Sequence, residues 1–173
     1  MSTVSITVVE PLQSKYLADF KRDMQDAFRK GVEAAFGESG SEILNEAEID
    51  EALNREHSAA FAAMQGSELV GGAIVDVNPE TGHGELTLLY ARHDHQSEGI
   101  GRTIWQWIEQ QYPKVTEWET CTPYFDRRNV HFYINSCGFH AVDLSRDDDL
   151  QIEGETPMPE EEAWMFTFIK KMQ

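Results

Sequence analysis

The stretch richest in chemistry is a strand that runs through a polar turn and two glycines into a helix. Leu88-Leu89-Tyr90-Ala91-Arg92-His93-Asp94-His95 leads into Gln96-Ser97-Glu98-Gly99-Ile100-Gly101-Arg102-Thr103. Glycines let a backbone approach a ligand closely and adopt positive φ. The first N–H groups of the following helix have no intrahelical partner and sit at its positive dipole end, which suits a phosphate or pyrophosphate. Two nucleotide-binding patterns are excluded. The dinucleotide fingerprint needs a third glycine where Ile104 stands, and no Gly-Lys-Ser/Thr follows to make a P-loop. A plain tight turn fits the same Gly-x-Gly equally well.

Other reactive residue types carry less. Cys121 and Cys137 lie sixteen positions apart without Cys-x-x-Cys spacing, and both are read as reduced thiols. His93-Asp94-His95 offers two imidazoles, but its spacing matches no common zinc pattern, so no metal site is expected. Trp105, Trp107, Trp118 and Trp164 form no recognisable ligand box and are read as core or half-covered aromatics.

Gln96-Ser97-Glu98-Gly99-Ile100-Gly101 resembles the coenzyme A loop of the GNAT superfamily of N-acetyltransferases, Gln/Arg-x-x-Gly-x-Gly/Ala. Leu89-Tyr90-Ala91 stands where that family ends a strand in Leu-Tyr-Val. Asn129, Phe132-Tyr133 and Gly138-Phe139 are similar to its second hallmark, an Asn and then Phe-Tyr on a short helix ending in Gly-Phe. The likeness covers nearly the whole chain and is most specific over residues 85–139. It implies transfer of an acetyl group from acetyl-CoA, as cosubstrate and without a metal, to an amine. Backbone amides of Gln96, Ser97, Glu98, Gly99, Ile100, Gly101, Arg102 and Thr103 would hold the pyrophosphate. Exposed backbone at Leu89, Tyr90 and Ala91 would pair with the pantetheine arm, and Asn129 would touch the cofactor beyond it. Such an amide cradle needs no lysine.

Two positions depart from the family pattern. Glu98 stands where a basic residue is common. Tyr133 lies five residues before Gly138 rather than four, and one residue turns a helical position by about 100°. The resemblance implies Glu85, eleven residues before Gln96, as the base that takes the proton of the attacking amine. It implies Tyr133 as the acid at the departing sulfur. His83 is a second candidate base, and a covalent route through Cys121 is a minor alternative to direct attack.

These residues need a scaffold, and the chain alternates strand and helix. Thr3–Val9 reads as a strand. Pro11 then suits a first helical turn, and Leu12, Tyr16, Phe20, Met24, Phe28 and Val32 form an i+4 ridge. Ser41 is the expected cap of a second helix. Ala59–Met64, Leu69–Val77 and Gly84–Ala91 read as an antiparallel meander with turns at Gln65-Gly66-Ser67-Glu68 and Asn78–Gly82. A loop over Gln96–Arg102, a helix over Thr103–Tyr112 and a strand over Val115–Cys121 favour a right-handed parallel crossover. A short helix over Asn129–Ser136 and strands over Phe139–Leu144 and Ala163–Lys170 complete the chain. The expected fold is α/β (α+β), GNAT-like: a mixed, mostly antiparallel sheet of about seven strands flanked by about four helices, one domain over residues 1–173.

Composition narrows the partners. With 14 Lys or Arg against 31 Asp or Glu, the formal net charge is −17. That argues against nucleic acid, whose binders need cations, and against an anionic membrane surface. No apolar run approaches the ~20 residues of a membrane span, and Met1–Glu10 has no signal-peptide pattern, so a cytoplasmic protein is expected. Nine acids and one base lie between Asp143 and Glu162, read as a solvated loop or a cation recruiter. Residues 32–91 contain a single base, Arg55, next to where the acceptor should enter. The expected partner is a small-molecule or protein amine acceptor, of positive charge if this acidity steers ligands, while acidity that serves solubility alone is an equal reading. A homodimer is common among proteins resembling this one. A non-catalytic acyl-CoA-binding module on the same fold is the second functional reading, and a nucleotide enzyme the third.

Overall fold

A computed structural model describes residues 6–37, 44–146 and 164–173. Seven strands among them form one sheet in the order β1-β2-β3-β4-β5-β7-β6. The strands are β1 (Val8–Pro11), β2 (Ser58–Gln65), β3 (Glu68–Val77), β4 (His83–Ala91), β5 (Glu117–Pro123), β6 (His140–Arg146) and β7 (Trp164–Lys171). Only β4 and β5 pair in parallel. Four helices flank the sheet: α1 (Leu17–Phe36), α2 (Glu46–Leu53), α3 (Ile100–Gln111) and α4 (Arg127–His131). The expected mixed, mostly antiparallel sheet with about four helices is what the chain forms. Among the described residues no helix is long and apolar enough to cross a membrane.

The sheet separates two cores. On one face α1 and α2 bury Phe20, Met24 and Ile49 against Ala62, Ile74 and Tyr90. On the other, α3 buries Ile104, Trp105 and Ile108 against Val75, Leu86, Trp118 and Phe168. The i+4 ridge of α1 is thus the buried stripe that periodicity predicts.

Several boundaries move, each for a local reason. The first strand begins at Val8 and runs through Pro11, which pairs with Phe61 on an edge strand, where a missing N–H is tolerated. Pro11 therefore closes β1 instead of opening the helix, and a tight turn over Ser14–Tyr16 precedes α1. Ser41, Asp147–Asp149 and Glu160–Glu162 lie outside the described residues. The α2 cap is Asn45: its side chain accepts from Glu48 N at 2.8 Å, while Asn45 N donates back to Glu48 at 3.3 Å. Helix α3 starts at Ile100, three residues before the expected Thr103. β5 begins two residues later than expected, at Glu117.

Two irregularities shape the centre of the molecule. Ile74 pairs with Leu88 and Val75 with Leu86, so Thr87 is an extra residue in β4. A bulge of this kind shifts the alternation of a strand. Accordingly Leu86 faces the α3 core, whereas Leu88 and Tyr90 face the α1 core. Beyond the bulge β4 parts from β5, whose parallel pairing covers only His83–Glu85 with Glu117–Glu119. Thr120 Oγ1 donates to Leu86 O at 2.8 Å at the fork.

Candidate active site

The fork opens into a groove of about 1290 Å³. One wall is the end of β4 and the start of α3, the second is α4 with Tyr124 and Phe125, and the third is the C-terminal half of α1. The β5-facing edge of β4 from Thr87 to Ala91 has no strand partner there, so its backbone donors and acceptors face the opening.

At the α3 end, His93–Glu98 form a 3₁₀ turn, and Gly99 at φ 72°, ψ 21° reverses the chain into the helix. This left-handed conformation is what a glycine supplies at least cost. The first helical bond closes from Thr103 N to Gly99 O at 3.1 Å, which leaves the Ile100, Gly101 and Arg102 amides directed outward from the first turn. Gly101 is required for a different reason. A Cβ there would lie 3.0 Å from Phe132 Cζ, so the α3 first turn rests directly on the ring of a residue that follows α4. Thr103 turns its hydroxyl onto Gly99 O at 3.1 Å, and Ile100 is buried, so neither side chain faces the groove.

Glu98 does not crowd this cradle. Its carboxylate is hydrogen-bonded to His95 Nδ1, while His95 Nε2 lies 3.3 Å from Glu68. Burial opposes charge on His95, but the bonds to Glu98 and Glu68 outweigh it and raise the pKa above its ordinary value. Arg92 pairs with Glu68 at 3.1 Å and Asp94 at 2.8 Å, completing a network under the turn. Glu68, Asp94 and His95 offer ligand atoms within 4.8 Å of one another, but Arg92 already neutralises two of them.

The second wall is pinned to the first by Arg128. One of its nitrogens donates to the Gln96 side chain and another to Gln96 O at 3.1 Å. Asp126 caps α4 by accepting from Asn129 N at 3.1 Å. Its other oxygen comes so close to α1 that a Cβ on Gly31 would meet it at 3.3 Å. Burial raises the Asp126 pKa, against the opposing effects of the Asn129 N–H and the Arg128 charge. Gly31 thus marks where α1 meets the start of α4.

Charge is distributed very unevenly. Among the described residues, the groove is lined by Lys30, Arg102, Arg127 and Arg128, against Asp126 as the one carboxylate. A protein of net charge −17 has therefore built a cationic groove around a cluster of outward amides. These residues fit the anionic portion of a coenzyme A thioester, and the unpaired edge of β4 fits its amide-bearing arm.

Of the residues expected at the cofactor, Leu89, Tyr90, Ala91, Gln96, Gly99, Gly101, Arg102 and Asn129 line this groove. Sequence reasoning passed over Lys30, Arg127 and Arg128, and named Phe132 only as part of the family motif. The one available signal was the basic pair immediately before Asn129. Glu85 lies at the apex of the fork, on β4, in register with Asp76 of β3 and Glu119 of β5. Arg55 reaches it at 3.4 Å. His83 is held between Glu117 at 3.4 Å and Glu119 at 3.2 Å.

Tyr133 is not brought to the groove. The helix after His131 widens into a π turn over Phe132–Ser136, closed by Cys137 N donating to Phe132 O at 3.1 Å. That turn absorbs the extra residue before Gly138 and leaves Tyr133 5% exposed, packed on Phe132, Phe139 and Phe168. Burial pushes the Tyr133 pKa up, and its hydroxyl finds the Thr120 side chain. The residue four positions before Gly138 is Ile134, which does line the groove and has no proton to give. Cys121 is exposed and Cys137 buried, neither in a disulfide among the described residues, and burial raises the Cys137 pKa to about 12.

A family model described as "Acetyltransferase (GNAT) family" matches residues 18–139. The chain is 37% identical over 138 residues to "Uncharacterized protein YrkN" of Bacillus subtilis (strain 168), covering 79% of this chain and 75% of that protein. Among solved structures it is similar to the ribosomal-protein-S18-alanine N-acetyltransferase from Escherichia coli. That likeness has 15% identity and a TM-score of 0.71, over 97% of this chain and 95% of that one. The PaiA N-acetyltransferase from Thermoplasma acidophilum in complex with coenzyme A gives 14% identity and a TM-score of 0.70, over 96% and 99% of the two chains. At these identities the structural likeness speaks for the fold.

Proposed function

Because the chain belongs to the GNAT acetyltransferase family, we propose that it transfers the acetyl group of acetyl-CoA to a primary amine by direct attack. The observation that carries this reading is the groove itself. Among the described residues, four cations and one carboxylate line it around the outward amides of Ile100, Gly101 and Arg102, in a strongly acidic chain. When bound, acetyl-CoA supplies an activated acetyl thioester. The α3 amides hold the pyrophosphate, and the unpaired edge of β4 from Leu89 to Ala91 aligns the arm toward the fork. Arg128 keeps Gln96 and the 3₁₀ turn in place, and Asn129 lines the opposite wall.

Glu85 is proposed as the base. It stands at the fork with a part-exposed carboxylate, where it takes a proton from the amine as that amine attacks. The row of Asp76, Glu85 and Glu119 across β3, β4 and β5 supports an acceptor of positive charge, a small-molecule or protein amine. Tyr133 enters the proposal as a brace for Thr120 rather than as a proton donor at the sulfur. Ile134 at the groove favours, as second reading, a non-catalytic acyl-CoA-binding module.

Turnover separates the two readings. Acetyl-CoA is incubated with a panel of cationic and neutral amines, and free thiol is followed. We expect turnover on a cationic amine, lowered roughly ten- to thousandfold in Glu85→Gln with little change in acetyl-CoA affinity. Tight acetyl-CoA binding with no turnover on any acceptor would establish the module instead.

A further inference from the structure

We infer that Arg102 and Arg127 form a separate anion site that reads the 3′-phosphate of coenzyme A, so that the protein distinguishes it from its 3′-dephospho form. The inference rests on the proposed use of a coenzyme A thioester and adds a specificity-determining pair to it. It begins from an excess of positive charge. A pyrophosphate is already provided for by the Ile100, Gly101 and Arg102 amides at the α3 terminus. Arg128 is committed to Gln96, through that residue's side chain and its carbonyl at 3.1 Å. Lys30 stays within 3.7 Å of Glu33 on its own helix.

Arg102 and Arg127 remain. Both are exposed, both line the groove, and neither has an acidic partner among the described residues. In a chain with 31 acids and 14 bases, two unpaired arginines on facing walls need a reason. They come from different elements, the first turn of α3 and the start of α4. Arg128, next to Arg127, reaches across to Gln96, so the two walls approach each other at this point. A guanidinium fork matches the oxygens of a terminal phosphate better than an ammonium does. Coenzyme A carries one such group, the phosphomonoester on its ribose, beyond the pyrophosphate.

The test uses coenzyme A and 3′-dephospho-coenzyme A as ligands, with affinities measured by calorimetry at low ionic strength. The proteins are wild type, Arg102→Gln, Arg127→Gln and the double variant. Both side chains are exposed, so the variants should melt with wild type, and melting curves check this. Wild type should prefer coenzyme A by about tenfold or more, as expected for charge-assisted bonds to a phosphate. Each single variant should lower that preference and the double variant should abolish it. Affinity for the dephospho form should stay within about twofold throughout. Equal affinity of wild type for both ligands would overturn the inference and leave the proposed function standing. Equal loss for both ligands in the variants would also overturn it, assigning the arginines to the pyrophosphate. Binding of neither ligand to wild type would remove the proposed function, and this inference with it.

Discussion

Gly99 and Gly101 sit two residues apart in the turn that opens α3, yet the structure gives them opposite reasons for lacking a side chain. At Gly99 the reason is conformation: φ is +72° and a Cβ would meet nothing within 4 Å. An alanine there costs about 1–2 kcal/mol of backbone strain. At Gly101 the reason is space: a Cβ would lie 3.0 Å and 3.2 Å from two carbons of Phe132 and 3.5 Å from Leu89 Cδ2. Ordinary contact is wider, so the Phe132 ring must yield by several tenths of an ångström, and overpacking of this kind costs about 1–3 kcal/mol. Alanine at either position should therefore lower the melting temperature by a similar amount, on the order of 3–8 °C for a chain of this size. Asparagine separates them, because it tolerates the left-handed region several-fold better than alanine. Gly99→Asn should recover most of the stability and bind acetyl-CoA nearly as wild type does. Gly101→Asn should be worse than Gly101→Ala on both counts, since the larger side chain drives Phe132 into the groove. Melting curves with and without acetyl-CoA, together with calorimetric affinities, give both readings. If Gly101→Ala melted and bound like wild type, the contact with Phe132 would not be what excludes a side chain there. If asparagine gained nothing over alanine at Gly99, the conformational argument would fail.

Other outcomes follow from the same geometry. Tyr133→Phe removes a hydroxyl that faces Thr120, so kcat/KM should fall far less than the about 10²–10⁴-fold expected for a lost general acid. The alkaline limb of its pH profile should stay in place, and a large loss there would restore Tyr133 as the acid. His95 has a raised folded pKa, so its bonds to Glu98 and Glu68 stabilise the protein below its unfolded pKa of about 6.5. That stabilisation is lost as pH rises through the folded value. The melting advantage of wild type over His95→Ala should accordingly shrink with rising pH, and NMR should find the imidazole titrating above 6.5. For the best amine, kcat/KM should drop with added salt, as the Debye length contracts from about 10 Å at 0.1 M to about 3 Å at 1 M. A neutral or acidic best acceptor with no salt dependence would sink the cationic assignment.

Much of this architecture was legible in the chain because period and punctuation act locally. The ridge from Leu12 to Val32 named the buried face of α1, and the two polar turns at residues 65–68 and 78–82 delimited the meander. The turn from His93 into α3 was legible for the same reason: glycines, followed by a helix, state a backbone need wherever they occur. What the sequence withheld depends on contacts between distant segments. Nothing in Phe132-Tyr133-Ile134-Asn135-Ser136 announces a π turn. Its widening follows from fitting one extra residue between a capped α4 and Gly138, with Tyr133 anchored in the core. The bulge at Thr87 is equally silent, since alternation along Gly84–Ala91 reads as an unbroken strand. Nothing local to Arg128 announces its partner, and only the approach of α4 to the 3₁₀ turn gives it Gln96 as a target.

The charge pattern makes best sense as a division of labour along the fork. Groups suited to a polyanion are gathered at the open end, where Arg102, Arg127 and Arg128 stand around outward amides. Groups suited to a cation stand at the closed end, where Asp76, Glu85 and Glu119 lie side by side on three adjacent strands. Like charges placed directly opposite one another across strands destabilise a sheet. The chain offsets this row with Arg55 on Glu85 and His83 on Glu117 and Glu119. A net charge of −17 alone would oppose an anionic cofactor everywhere on the surface. Gathering four cations in one groove would let that field attract the proposed amine while leaving a local entry for the proposed thioester, and the bulge at Thr87 lies where β4 opens between the two ends.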